Sequence, residues 1–274
     1  DVNMDRATNG ALWGGMLNCG QTCTSVERIF VQESIMDTFV KTLKEKAAKL
    51  STLKTKSQDD GSLCVGCMTA DFQIKTIEAQ LQEAREKGAE IVAGGSREGD
   101  SHVFPPTIVV TRDTSLKVMN DETFGPVVTV TPFKTEQEAI DLANASSFGL
   151  NSSVWSSDLG RAERVARALV TGSVSINNVL STQANSALPF GGVKESGLGR
   201  YHGSFGLHTF CNVKSMTIEP CSDRAEINWY PYTVEKFNIL NRLFEALFSD
   251  SPLRLLRAGL LGNKLAALVK RQRL

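Results

Sequence analysis

Residues 126–178 read PVVTVTPFKTEQEAIDLANASSFGLNSSVWSSDLGRAERVARALVTGSVSINN. Val127–Thr131 is rich in β-branched residues and reads as a strand. Thr135, with Glu138 three residues later, forms a capping box that opens a helix to about Asn144. Ser152–Trp155 is a second strand, Asp158 caps a helix to about Val170, and Gly172–Asn177 is a third strand. Strand, helix, strand, helix, strand at this spacing predicts a parallel sheet covered by helices, so the fold class is α/β.

The flanking sequence extends this pattern. Val26–Gln32 reads as a strand. Ser34, with Asp37 as a weaker partner, is expected to cap a helix carrying Ile35, Phe39, Leu43 and Leu50 on one stripe. Residues 51–70 read as loop. A helix follows over about 71–87, with Ile74, Ile77, Leu81 and Ala84 on one side and Gly88 as its stop. Glu90–Ala93 is a short strand, and His102–Val110 is extended, with Pro105 and Pro106 keeping it from a sheet centre. At the start, Ala7, Ala11, Leu12, Met16 and Leu17 recur at helical spacing, and a helix without a cap at residue 1 suggests a chain cut from a longer one. Thr209–Ile218 alternates loosely and reads as an edge strand. Residues 1–220 thus form one α/β domain, and 221–274 a helical extension with helices near 234–248 and 252–270.

Composition narrows the function classes. Thirty Lys and Arg balance thirty Asp and Glu, which gives no global reason to expect nucleic acid as a partner. Six Cys in 274 residues are too sparse for a disulfide scaffold and point to reduced thiols in a cytoplasmic compartment. No charged stretch leads into an apolar run of the secretory type, and no run of about 18 apolar residues is present. Cys64-Val-Gly-Cys67 is a lone pair of thiols without the further ligands zinc needs, so no metal is expected.

Three segments carry chemistry. Asn18-Cys-Gly-Gln-Thr-Cys23 places a thiol after a Gly-Gln turn, where backbone N–H groups can stabilise a thiolate and then an oxyanion. A cysteine protease of the papain kind would need an aromatic residue after the Cys and a His 130–150 residues on; Thr24 follows here, and the window 153–173 has no His. Asn120-Asp-Glu122-Thr-Phe124-Gly-Pro126 sits before a strand, where α/β folds place ligands. Glu122 can accept hydrogen bonds from ribose hydroxyls and Phe124 can pack on a flat ring, but from these residues alone a plain Gly-Pro turn with a solvated Glu122 is the favoured reading. Leu188–Arg200 is dense in Gly, yet it is neither a Walker loop nor Gly-x-Gly-x-x-Gly, so it is not read as a phosphate cradle.

Together these segments resemble the aldehyde dehydrogenase superfamily. Asn18-x-Gly-Gln-x-Cys23 is similar to its active-site cysteine motif, and Glu122-x-Phe-Gly-Pro126 to its Glu-x-Phe-Gly-Pro element. Pro189-Phe-Gly-Gly-x-Lys194-x-Ser-Gly-x-Gly-Arg200 is similar to a third motif, and all three stand in the family's order within residues 1–220. The resemblance implies that Cys23 is the catalytic nucleophile, that Glu122 and Phe124 bind the nicotinamide end of NAD or NADP, and that a small-molecule aldehyde is the substrate. It implies that residues 178–188, with Met16 and Leu17, wall the substrate funnel. It also implies that the strand near 209–218 joins a partner subunit in a homo-oligomer.

The family's general-base Glu and its Rossmann-type cofactor region lie upstream of the Cys, and the twenty-two residues before Cys23 contain no Glu. Three readings therefore stand side by side: aldehyde oxidation in a full-length protein, an incomplete fragment that only binds or oligomerises, and cofactor-free ester or thioester hydrolysis by Cys23. For the extension, docking through the Phe237–Phe248 face competes with binding to an anionic membrane surface, since six basic residues and no acidic one follow Asp250.

Overall fold

The computed structural model describes residues 1–53, 56–57, 61–220 and 226–272. The chain divides into two units, Asp1–Asn212 and Val213–Leu274. Part of the expected loop 51–70 and the start of the extension at 221–225 lie outside the described residues, as does Arg273, one of the six basic residues.

The first unit opens with helix α1 (Met4–Met16), strand β1 (Arg28–Gln32), α2 (Met36–Ala47) and α3 (Asp71–Glu86). It continues through β2 (Glu90–Ala93), β3 (Thr107–Val110), the single turn α4 (Lys117–Asn120), β4 (Val127–Phe133) and α5 (Glu136–Asn144). Then come β5 (Phe148–Gly149), β6 (Asn151–Val154), α6 (Leu159–Ala168), β7 (Ser173–Ile176), α7 (Ser181–Ala184), β8 (Val193–Lys194) and α8 (Gly203–Thr209). The main sheet runs β1-β4-β3-β2, with β4 parallel to both neighbours and β2 antiparallel to β3. β2 reverses because residues 94–106 contain no helix to make the crossover that a parallel partner requires.

The α/β expectation holds, but not as one continuous sheet. β6 pairs in parallel with β7 alone, and β5 pairs with β8. β4 is flanked by β1 and β3, and β6 does not join this sheet. β4 is central and covered on both faces: Val127, Val128 and Val130 are at most 1 % exposed. From α3, Ile74, Ile77, Leu81 and Ala84 are fully buried, as their spacing predicts. Each large aliphatic side chain so buried stabilises by about 1.5–3 kcal/mol.

The helix starts refine the sequence reading. α1 does have a cap, since the Asn3 side chain accepts the Arg6 N–H at 2.9 Å. Thr135 and Asp158 cap α5 and α6 as expected, accepting from the N–H groups of Glu138 and Arg161. Ser34 caps nothing: it lies in a 3-10 turn, Glu33–Ile35, whose entry is held by the Gln32 side chain, and α2 begins at Met36 without a side-chain cap. The stretch Thr209–Ile218 differs most. Thr209 closes α8, and no strand forms over 210–220. Phe210, Val213, Met216 and Ile218 are left exposed.

In the second unit, α9 (Val234–Leu247) and α10 (Arg254–Arg271) pack on one another, close to the expected boundaries. The Thr233 hydroxyl caps α9 by accepting the Lys236 N–H, and Ala246, Ala258, Leu265, Leu268 and Val269 are buried. Val234, Phe237, Phe244 and Phe248 repeat at helical spacing and stay exposed. Among the described residues, no helix is long and apolar enough to cross a membrane.

Candidate active site

The chain leaves α1 through a turn over Leu17–Gly20 in which three consecutive residues are left-handed: Asn18 at φ 53°, Cys19 at 59° and Gly20 at 69°. Asn tolerates this region, but Gly20 is required, because a Cβ there would strike the Gly125 carbonyl. The Asn18 amide donates to the Gln21 carbonyl at 3.0 Å. Gln21 donates back to the Asn18 carbonyl at 3.2 Å, and its Oε1 accepts the Thr69 N–H at 2.9 Å. The Asn-x-Gly-Gln pattern is thus the set of residues that makes and locks this turn.

Two thiols leave the turn in opposite states. Cys19 is buried beside Gly66 and the Cys67 carbonyl, and burial pushes its thiol up to about 11. Cys23 is exposed, and among the described residues its backbone N–H has no acceptor. The Val26 N–H donates to the Gly14 carbonyl at 3.1 Å, anchoring the chain beyond Cys23. The Thr24 hydroxyl donates to Gln183 Oε1 at 2.6 Å, which ties the Cys23 segment to α7.

A cavity of about 380 Å³ brings Cys23 and Glu122 together, with Glu27, Val179, Leu180 and Glu195 also in its wall. Glu122 is exposed, and among the described residues its carboxylate makes no hydrogen bond or ion pair. Phe124 is half-buried at φ 48° and does not line this cavity. Of the expected funnel segment, Val179 and Leu180 are in the wall and Gln183 is bonded to Thr24. Met16 is not a wall residue: it is 3 % exposed and belongs to the hydrophobic core, because its spacing puts it on the inner side of α1. Leu17 is 40 % exposed but also stands outside the cavity.

The sequence reading missed Glu27, whose Oε1 accepts the N–H groups of Thr123 and Phe124 at 3.1 and 3.0 Å. Burial is the main cause that raises its carboxyl above the ordinary value, with the Glu122 charge adding to it and the two N–H bonds opposing. A charged residue set between Val26 and Ile29 at the mouth of a strand was the available hint. The Gly-rich motif serves as scaffold. A Cβ on Gly172 would strike the Gly191 carbonyl, Arg200 donates to the Gly192 and Gly199 carbonyls at 2.6 Å, and Lys194 Nζ donates to those of Asn144 and Ser146 at 2.7 and 2.8 Å.

Comparison with known proteins gives the family of the chain. The profile of the Aldehyde dehydrogenase family matches residues 1–216. The 4,4'-diapolycopene aldehyde oxidase of Methylomonas sp is 39% identical over 250 residues, 91% of this chain and 46% of the relative. The 3-sulfolactaldehyde dehydrogenase of Pseudomonas putida is 37% identical over 78% of this chain and 43% of its own length. A crystal structure of betaine aldehyde dehydrogenase from Staphylococcus aureus in complex with NAD+ matches 85% of this chain and 46% of its own, with a TM-score of 0.76 at 36% identity. The chain belongs to the aldehyde dehydrogenase family. It spans a little under half the length of these relatives.

Proposed function

We propose that this chain is the catalytic-cysteine half of an NAD(P)-dependent aldehyde dehydrogenase, acting within a polypeptide of family length. The observation that carries the reading is the shared cavity of Cys23 and Glu122. The Cys23 thiolate adds to the aldehyde carbonyl carbon and forms a thiohemiacetal, while the unengaged Cys23 N–H donates to the oxygen as it gains charge. When bound, NAD or NADP supplies the acceptor for the hydride that leaves this carbon. The resulting thioester on Cys23 is cleaved by water to the carboxylic acid. Glu122 fits the nicotinamide-ribose end of the cofactor, since an exposed, unpaired carboxylate can accept from two hydroxyls. Phe124 is assigned to the nicotinamide end through the family motif it shares with Glu122.

The family's water-activating Glu and its adenosine site lie in the part of the family length that this chain does not span. Taken alone, the chain is proposed to bind or oligomerise without oxidising aldehydes. The assembled enzyme is proposed to act in the cytoplasm as a homo-oligomer, with 209–218 pairing in a partner subunit. The test is aldehyde-dependent reduction of NAD(P) by the family-length polypeptide carrying Cys23→Ser, Cys19→Ser or Cys67→Ser. Only Cys23→Ser should abolish turnover, by a factor of about 10³ or more. Near-normal turnover in Cys23→Ser overturns the assignment.

A further inference from the structure

Glu27 lies four residues after Cys23 and one before β1, so it belongs to the nucleophile's own segment. Its two functional groups reach the same distant stretch. The main-chain carbonyl accepts the Thr129 N–H at 2.8 Å and the Thr129 hydroxyl at 2.9 Å, on β4. The side-chain Oε1 accepts the N–H groups of Thr123 and Phe124 at 3.1 and 3.0 Å, in the loop that leads into β4. One residue therefore brackets the chain from 123 to 129, directly behind Glu122.

That loop needs holding. Phe124 is a non-glycine residue in the left-handed region, which is unfavourable unless its surroundings impose it. Among the described residues the buried Thr123 hydroxyl has no partner, so it contributes no hydrogen bond of its own. Gln73 donates to the Thr123 carbonyl at 2.7 Å, and among the described residues the Thr123 and Phe124 N–H groups bond to Glu27 only. Gly20, in the turn before Cys23, meets the same loop at the Gly125 carbonyl.

We propose that Glu27 is a positioning residue that clamps the Glu122–Phe124 loop to the Cys23 segment, fixing the cofactor-ribose carboxylate relative to the nucleophile. The proposal rests on the assignment of Glu122 to the cofactor. Both N–H groups converge on a single oxygen, so Gln retains the clamp and Ala removes it.

The test has two arms. In the chain itself, amide hydrogen exchange is followed at Thr123 and Phe124, with Ile29 and Val130 on β1 and β4 as folding controls. Glu27→Ala should speed exchange at Thr123 and Phe124 by about tenfold or more and leave the controls unchanged, while Glu27→Gln should stay within about twofold of the parent. In the family-length polypeptide, Glu27→Ala should raise the Kd for NAD or NADP by about tenfold without changing the alkylation rate of Cys23, and Glu27→Gln should restore it. Unchanged exchange at 123 and 124 overturns the clamp, as does a Gln variant that behaves like Ala or a loss of protection that includes the β1 and β4 controls. Faster exchange with an unaltered Kd overturns its role toward the cofactor. Glu122→Gln with an unaltered Kd overturns instead the cofactor assignment of Glu122.

Discussion

Cys19 and Cys23 are separated by four positions and by opposite surroundings. The buried Cys19 thiol, raised to about 11, stays protonated near neutral pH, whereas Cys23 is open to solvent. Iodoacetamide at pH 7.5 should therefore modify Cys23 and spare Cys19, as read by peptide mass spectrometry. Equal labelling would contradict the burial of Cys19. Glu27 gives a prediction with a definite sign. Its carboxyl is raised in the folded state, chiefly by burial and also by the Glu122 charge, against the backbone bonds and Arg28. The folded chain holds that proton more tightly than the unfolded chain. The contribution is complete below the ordinary value of 4.5 and is lost as pH rises through the raised one. The Tm advantage of Glu27→Gln over the parent should widen across that interval and then stay level. An advantage independent of pH from 4 upward would show that Glu27 titrates normally.

Among the elements, α5 ends at a lysine supplied from fifty residues away. Lys194 gives its ammonium to the carbonyls of Asn144 and Ser146, where the helix leaves acceptors unpaired. The same lysine belongs to β8, which pairs with β5 immediately beyond that helix. Lys194→Ala should lower stability by about 1 kcal/mol, seen as a lower urea midpoint with an unchanged m-value. Lys194→Arg should recover part of the loss. The motif lysine is thus accounted for by a helix end rather than by a phosphate.

The two units leave apolar surface exposed. Phe210 is 90 % exposed in the first unit, and in the second Phe237, Phe244 and Phe248 line the outer side of α9. Surface of this kind is covered by protein or lipid in a working assembly. The match to the 4,4'-diapolycopene aldehyde oxidase covers 91% of this chain, so it includes α9, whereas the 3-sulfolactaldehyde dehydrogenase match covers 78%. The basic residues of α10, Arg254, Arg257, Lys264, Lys270 and Arg271, do not share one face opposite its leucines: the exposed Leu260 lies on the same side as Arg257 and Lys264. This arrangement favours docking of α9 on protein. Deleting residues 222–274 should lower Tm by several degrees or change the mass measured by light scattering. If both stay constant and the parent alone binds anionic liposomes, a membrane surface is the occupant.

The sequence by itself determined most helices and strands, because periodicity, caps and β-branched runs are local. The inward face of α3, the Thr135 and Asp158 caps and the three chemical segments could all be read from neighbours in the chain. The turn before the cysteine was legible because Asn18 and Gln21 bond each other within three residues, whereas the Gly125 and Thr69 contacts of Gly20 and Gln21 were not. Tertiary structure decided the rest. It chose which thiol is open, since Cys19 and Cys23 differ only in what covers them. It placed Met16 in the core, and it split the parallel sheet by pairing β6 with β7 apart from β4. It also gave Glu27 its partners, which lie ninety-six and ninety-seven residues further along the chain. A hydrogen bond between segments so far apart leaves no local pattern, and only the packing of the Cys23 turn against the loop before β4 brings its two ends together.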